Sequence, residues 1–304
     1  MSAFRPPPGD LPGLKILSKL GEGGMSRVWK AEDLDNGGRI VAVKLPMLEF
    51  AASKPDAGRF EAEARAMQEL DHPGIVKSFG MRGAGPWRCC VMEYVDGYNF
   101  GSLLARKQHL SEGDCLLICE SVALALDYAW NERGIVHCDI KPDNIMIDTS
   151  GTVKLTDLGL CHVFSGGGGP PPEVPDHVLG TPAYISPEQV YGDVEPDCRA
   201  DVYSLAATLY HLATGRVLFH GMTADGMMRA HCDESMQAYD PRRRRPALSE
   251  GFCQMLEAML VKDRDGRLAG WPEVYAACRE IEAGNAFKPR SDGRASSLGL
   301  GKGL

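Results

Sequence analysis

The apolar residues change period near residue 97, and that change constrains the possible folds more than any other feature. Before it the pattern is that of strands. Leu14–Leu20 is short and apolar-rich, Arg27–Glu32 and Arg39–Leu45 follow with Asn36-Gly37-Gly38 as a turn signal between them, and Trp87–Tyr94 is again strand-like. One helix interrupts these strands over Asp56–Leu70, where Phe60, Ala64, Met67 and Leu70 recur at helical spacing. After Gly97 the pattern is mostly helical. Ser111 and Asp114 form a capping-type start ahead of Leu116, Leu117, Val122, Leu124 and Leu126, and helices also fit Asp201–Leu212, Ser249–Leu260 and Trp271–Ala283. This is an α+β chain in two parts: a small antiparallel sheet with one major helix over residues 14–96, and a mainly helical part over 97–285. Residues 1–13 and 286–304 are rich in Pro, Gly or Ser, carry no periodic apolar pattern, and are expected to be flexible.

The chain has 304 residues, 44% hydrophobic and 24% charged, enough for a sizeable core and far from the composition of a disordered or collagen-like chain. Its net charge of −8 gives no electrostatic reason to bind nucleic acid or an anionic membrane. The longest apolar stretch, Leu205–Ala213, is too short to span a bilayer and is interrupted by Thr208 and His211, so no membrane segment is expected here. The N-terminus has no apolar segment of the secretory kind. Ten cysteines without a CxxC pair argue against zinc or redox spacings and for a reducing, cytoplasmic setting. Cys115 and Cys119, four apart on one helix face, read as small core residues. Arg242–Arg245 reads as a solvated surface loop that could still dock an acidic substrate.

Three clusters carry chemistry. Leu20-Gly21-Glu22-Gly23-Gly24 opens a glycine-rich turn between two strands, where the backbone can approach a phosphate closely. A strand follows the glycines, which excludes the dinucleotide fingerprint, and no Gly-Lys-Ser/Thr ends them, which excludes the Walker loop. Val41-Ala42-Val43-Lys44 places Ala42 and Lys44 on one face of a strand and Val43 on the other. A lysine in a buried site needs a carboxylate partner, and Glu61, Glu63 and Glu69 are all available. His137-Cys138-Asp139-Ile140-Lys141-Pro142-Asp143-Asn144 is the densest polar cluster, and a strand, a turn at Asp148–Gly151 and a second strand follow it. If that hairpin centres between Ser150 and Gly151, residues whose numbers sum to 301 face each other, which sets Asn144 opposite Asp157. An amide and a carboxylate side by side are hard oxygen donors suited to Mg²⁺.

In this order and spacing, GEGGMSRV, AVK, FEAEARAMQELDHPGIV, VMEYVDG, HCDIKPDN, TDLGL, GTPAYISPE and DVYSL make the chain resemble the bacterial eukaryotic-like (Hanks-type) serine/threonine protein kinases over residues 14–285. The resemblance implies a two-lobed kinase that transfers the γ-phosphoryl group of ATP, with Mg²⁺ or Mn²⁺, to Ser or Thr hydroxyls of protein substrates. It implies that Leu20, Gly21, Gly23, Gly24 and Val28 cover the ATP, and that Ala42 and Met146 sandwich the adenine. Met92 would be the gatekeeper, with Glu93 and Val95 offering backbone bonds to the base. Lys44 would hold the α/β-phosphates, paired with Glu63. Asp139 would accept the proton of the substrate hydroxyl, Lys141 would neutralise the transferred group, and Asn144 and Asp157 would hold the metal. Glu188 would pair with Arg267, and Asp201 would hold the catalytic loop through backbone N–H groups. Thr181 and Lys141 are what serine/threonine rather than tyrosine kinases carry at these positions.

Three departures stand out. Leu158 replaces the usual Phe after the metal-binding Asp, keeping an apolar plug. Ser186 replaces Ala before Pro187-Glu188, a change expected to matter little. Cys138 stands where the family carries an arginine that pairs with a phosphate on the activation loop, a bond cysteine cannot make. Activity without loop phosphorylation is therefore expected. The alternatives are a pseudokinase scaffold, opposed by the presence of Lys44, Glu63, Asp139, Asn144 and Asp157, and a small-molecule kinase, opposed by the Gly180–Glu188 segment.

Overall fold

The computed structural model describes residues 11–23, 26–47, 64–65, 67–83, 88–157, 162–164, 180–192, 194–238, 240–285 and 287. A five-stranded antiparallel sheet occupies the front of the chain, in the order β1 (Leu14–Glu22), β2 (Ser26–Asp33), β3 (Arg39–Pro46), β5 (Cys89–Glu93), β4 (Ser78–Arg82). Strand β3 lies in the middle and is buried on both faces from Val41 to Leu45, which is why it reads as an unbroken apolar run. The two-residue period sorts its side chains. Val41, Val43 and Leu45 join Leu14, Trp29, Ala31 and Val91 in one core, whereas Ala42 packs with Val76, Met92 and Val95 on the other side. Lys44 shares the parity of Ala42 and is 6% exposed. Strand β4 escapes a sequence reading because Gly80, at φ 95°, shifts the register against β5 and breaks the alternation.

The remainder is mainly helical: α1 (Phe100–Lys107), α2 (Glu112–Arg133), α3 (Pro187–Tyr191), α4 (Cys198–Thr214), α5 (Ala224–Cys232), α6 (Glu250–Met259) and α7 (Trp271–Glu282). The capping box that starts α2 is formed as expected. The Asp114 N–H donates to Ser111 Oγ at 3.1 Å and the Ser111 N–H to Asp114 Oδ2 at 3.4 Å. Helix α4 is buried over nearly its whole length, so the other helices pack around it. Cys115 and Cys119 are core residues, as expected, and burial pushes the Cys115 thiol up to about 12. No described helix is long and apolar enough to cross a membrane.

Between the sheet and the helices lies a small three-stranded sheet, β6 (Gly97–Asn99), β8 (Ile145–Asp148) and β9 (Val153–Leu155). A Cβ at Gly97 would lie 2.0 Å from the Ile147 carbonyl oxygen, so only glycine lets β6 approach β8 this closely. The segment at Ile75 forms a parallel bridge with Leu155, through Val76 N–H to Leu155 O at 2.9 Å and Leu155 N–H to Gly74 O at 2.8 Å. This bridge ties the front sheet to the hairpin two residues before Asp157. Strands β7 (Ile135–Val136) and β10 (His162–Val163) pair antiparallel beside it.

The Glu188–Arg267 pair expected to brace the helical part is present and buried. Arg267 donates to both carboxylate oxygens, at 2.8 and 3.2 Å, and spends its other N–H groups on the carbonyls of Val261, Arg199 and Lys262. Its side chain is 0% exposed, so removing it strands a carboxylate without water. Arg267→Ala is expected to lower the unfolding free energy by about 3–5 kcal/mol in chemical denaturation. A loss below about 1 kcal/mol, the range of a surface ion pair, would show that the pair braces nothing.

Candidate active site

The loop between β7 and β8 is held in place before any ligand arrives. Asp201, in the first turn of α4 and 1% exposed, accepts the N–H of His137 at 2.6 Å and of Cys138 at 2.8 Å. Cys138 sits at φ 64°, a left-handed conformation that a non-glycine residue adopts only when its surroundings insist. Its carbonyl accepts from Gln189 Nε2 at 2.8 Å, so both backbone polar groups are pinned. Ser186, the replacement for alanine, is fully buried and donates from Oγ to Gln189 Oε1 at 3.0 Å, which orients that amide. The Cys138 side chain is buried in an apolar cluster with Val136 and Ala200.

His137 joins this loop to the end of β9. Its Nδ1 accepts the Asp139 N–H at 3.3 Å, which leaves Nε2 to donate to the Thr156 carbonyl at 3.1 Å. The sequence flags His137 only as a member of the densest polar cluster and Gln189 not at all, because both act through backbone groups that no motif spells out.

These ties present Asp139 at the centre of a closed network. Its Oδ2 accepts from Lys141 Nζ at 2.5 Å and Asn144 Nδ2 at 3.1 Å, and its Oδ1 accepts from Thr181 Oγ1 at 2.6 Å. Lys141 Nζ also donates to Thr181 Oγ1 at 2.9 Å. The residues expected to act on the hydroxyl are thus brought into mutual contact.

The hairpin register differs from expectation by one residue. Ile145 faces Leu155, Met146 faces Lys154 and Ile147 faces Val153, so paired numbers sum to 300 and Asn144 lies opposite Thr156. The connection is a three-residue loop with Gly151 at φ 89°, not the two-residue turn assumed for the sum of 301. Asp157 lies one residue beyond the register, at φ 59°, and its carboxylate is ion-paired with Lys44 Nζ. Loss of hydration pushes that carboxyl up, but the Lys44 ammonium beside it prevails and holds it below the usual range. The donor set suits a hard divalent cation. The Asn144 amide nitrogen is committed to Asp139, which leaves its oxygen, and Asp157 adds an ionised carboxylate.

Val28 and Met146 pack against Ala42, Met92 and Val95, so five of the residues expected around an adenine form one apolar cluster with Val76. Val76 was not anticipated, since it lies in a stretch without periodicity. Glu93 sits at the rim, with its carboxylate 2.9 Å from Lys154 Nζ. Leu20 is 45% exposed, on the same strand as Gly21. A Cβ at Gly21 would meet nothing within 4 Å, and one at Gly23 only the Ser26 carbonyl oxygen at 3.9 Å. Neither packing nor a positive φ demands glycine there, so the bare backbone faces open space, as close approach by a phosphate requires. Gly24, Glu63 and Leu158 lie outside the described residues.

Residues 14–278 match the family described as the protein kinase domain. The chain belongs to that family. It is 35% identical over 276 residues to the serine/threonine-protein kinase PknA of Mycobacterium tuberculosis, covering 89% of this chain and 61% of PknA. It is 34% identical over 251 residues to the serine/threonine-protein kinase PrkC of Bacillus subtilis, covering 82% of this chain and 37% of PrkC. The chain therefore spans between about a third and three fifths of the length of such relatives. The kinase domain of M. tuberculosis PknI superposes with a TM-score of 0.70 at 25% identity, over 90% of this chain and 97% of that domain. The two-lobed protein kinase fold follows from this match and from the sheet and helices above.

Burial pushes the Asp201 carboxyl up from its ordinary 3.8 to about 6, against the opposing pull of the two backbone N–H groups. A carboxyl whose folded pKa exceeds its unfolded value binds more protons when folded, so its contribution to stability falls as pH rises between the two values. The unfolding free energy of the wild type relative to Asp201→Asn should decline from about pH 4 to about pH 6 and stay level above that. A difference that rises with pH over this window would contradict the assignment.

Proposed function

We propose that this chain is a serine/threonine protein kinase domain that transfers the γ-phosphoryl group of ATP to Ser or Thr hydroxyls of protein substrates. The observation that carries this reading is the Asp139 carboxylate, fixed by Lys141, Asn144 and Thr181 on a loop gripped by Asp201. The names of its relatives support the same activity.

In this reading the adenine enters the cluster of Val28, Ala42, Met92, Val95 and Met146, with the Glu93–Val95 backbone at its edge. Leu20 and the glycines Gly21, Gly23 and Gly24 close over the phosphates. Lys44 exchanges Asp157 for phosphate oxygens, with Glu63 as its second carboxylate. Asn144 and Asp157 would hold Mg²⁺ or Mn²⁺, which when bound neutralises phosphate charge. The acceptor hydroxyl lies against Asp139. As its oxygen forms the new bond to the γ-phosphorus, the bond from that phosphorus to the β–γ bridging oxygen breaks and ADP leaves. The hydroxyl proton passes to Asp139. Lys141 balances charge on the group in flight, so catalysis is positioning plus electrostatic stabilisation.

The buried apolar setting of Cys138 supports a further step: turnover that does not depend on a phosphate bound beside the catalytic loop. Transfer from labelled ATP to the chain itself and to a generic protein substrate tests both points. Asp139→Asn should lower the rate roughly 10²–10⁴-fold, and prior phosphatase treatment should leave the wild type active. Nucleotide binding without transfer would favour a scaffold. Activity abolished by phosphatase would show that loop phosphate is needed despite Cys138.

A further inference from the structure

Beside the catalytic loop lies a cavity of about 1030 Å³, and the charge of its walls opposes that of the chain. Pro142 and Asp143, which line it, are the two residues between Lys141 and Asn144, and both of those bond to Asp139. Tyr184, which also lines it, lies three residues from Thr181, the third partner of Asp139. The Tyr184 hydroxyl is hydrogen-bonded to His211 Nδ1 at 2.7 Å. Desolvation dominates at His211 and outweighs the Asp143 carboxylate, lowering its pKa.

Charge comes from two other places. Arg216 follows the end of α4, and Arg243, Arg244 and Arg245 come from the arginine run. A tight turn presents that run: the N–H groups of Arg244 and Arg245 both donate to the Pro241 carbonyl at 3.0 Å. Arg245 is steadied by the Ala213 carbonyl at 3.4 Å. Among the described lining residues there are four guanidiniums and one carboxylate, that of Asp143, in a chain whose net charge is −8. No described carboxylate lies within ion-pair distance of Arg216, Arg244 or Arg245. Arg242, the remaining member of the run, is paired with Asp240 and does not line the cavity.

Four like charges gathered around a single carboxylate repel one another, and Arg216 and Arg244 are both exposed. A guanidinium matches the planar geometry of carboxylates and phosphates. An extended peptide advances about 3.3 Å per residue, so with its acceptor at Asp139 it sets residues a few positions away over this cavity.

We propose that the cavity is a specificity site for an anionic side chain, carboxylate or phosphorylated, a few residues from the acceptor hydroxyl of the protein substrate. This rests on the kinase reading of the adjoining loop, so the test uses binding rather than turnover. Fluorescent serine-containing peptides of equal length, flanked by glutamates, phosphoserines or glutamines, are titrated with the protein and followed by anisotropy at low ionic strength. The anionic peptides should bind about tenfold tighter than the glutamine peptide. Arg216→Glu/Arg244→Glu should erase that preference, and Arg242→Ala should retain it. A clear advantage of phosphoserine over glutamate would identify a previously phosphorylated substrate as the occupant, whereas equal binding would identify acidic residues. No preference in the wild type, or a preference that survives the double charge reversal, would overturn the proposal. Failure to transfer phosphate to any of these peptides would count against the kinase reading alone, because the anisotropy decides the cavity independently.

Discussion

Asp201 is a carboxylate almost out of reach of water, and the geometry of the active-site loop hangs on its two oxygens. Each accepts one backbone N–H, from His137 and Cys138. Together with Gln189 on the Cys138 carbonyl, they hold a left-handed residue that the loop could not keep by itself. The turn so fixed puts Asp139 where Lys141, Asn144 and Thr181 converge. The polar interruptions of α4 serve the same end: Thr208 donates to the Ile140 carbonyl at 3.2 Å, and His211 meets Tyr184. A helix buried over nearly its whole length is a rigid support, and Asp201 and Thr208 are its attachments to the loop.

Much of this was legible in the residues. The parity argument on β3 separates Ala42 and Lys44 from Val43, and the two cores divide along that line. The capping box at Ser111 and the buried pairing of Glu188 with Arg267 were also readable, the first from local chemistry and the second from family resemblance. What escaped lay where geometry is set by non-local contact or by an unusual turn. The hairpin register depends on whether the turn has two or three residues, and Asp148-Thr149-Ser150-Gly151 is compatible with both. The aid of β4, Val76, His137 and Gln189 is expressed through a bulge, an aperiodic segment and backbone hydrogen bonds, none of which leaves a periodic trace.

The surroundings of the site follow the same logic at longer range. The front sheet reaches the hairpin through the Ile75–Leu155 bridge, and Lys44 reaches Asp157 across the junction. The residues we assign to the nucleotide and to the acceptor thus come from elements anchored separately, the first to β3 and the second to α4. The arginine-lined cavity lies on the α4 side, next to the loop that carries Asp139. In the reading proposed above, that placement makes it a feature of substrate choice and not of ATP chemistry.

The most direct test of the account is a crystal structure with Mn²⁺ and a non-hydrolysable ATP analogue, read by the anomalous signal of the metal. The account predicts manganese bound by the Asn144 amide oxygen and the Asp157 carboxylate, with Lys44 moved from Asp157 to the phosphates and adenine among Ala42, Met92, Val95 and Met146. A nucleotide bound elsewhere, or a metal that leaves Asn144 and Asp157 untouched, would contradict it.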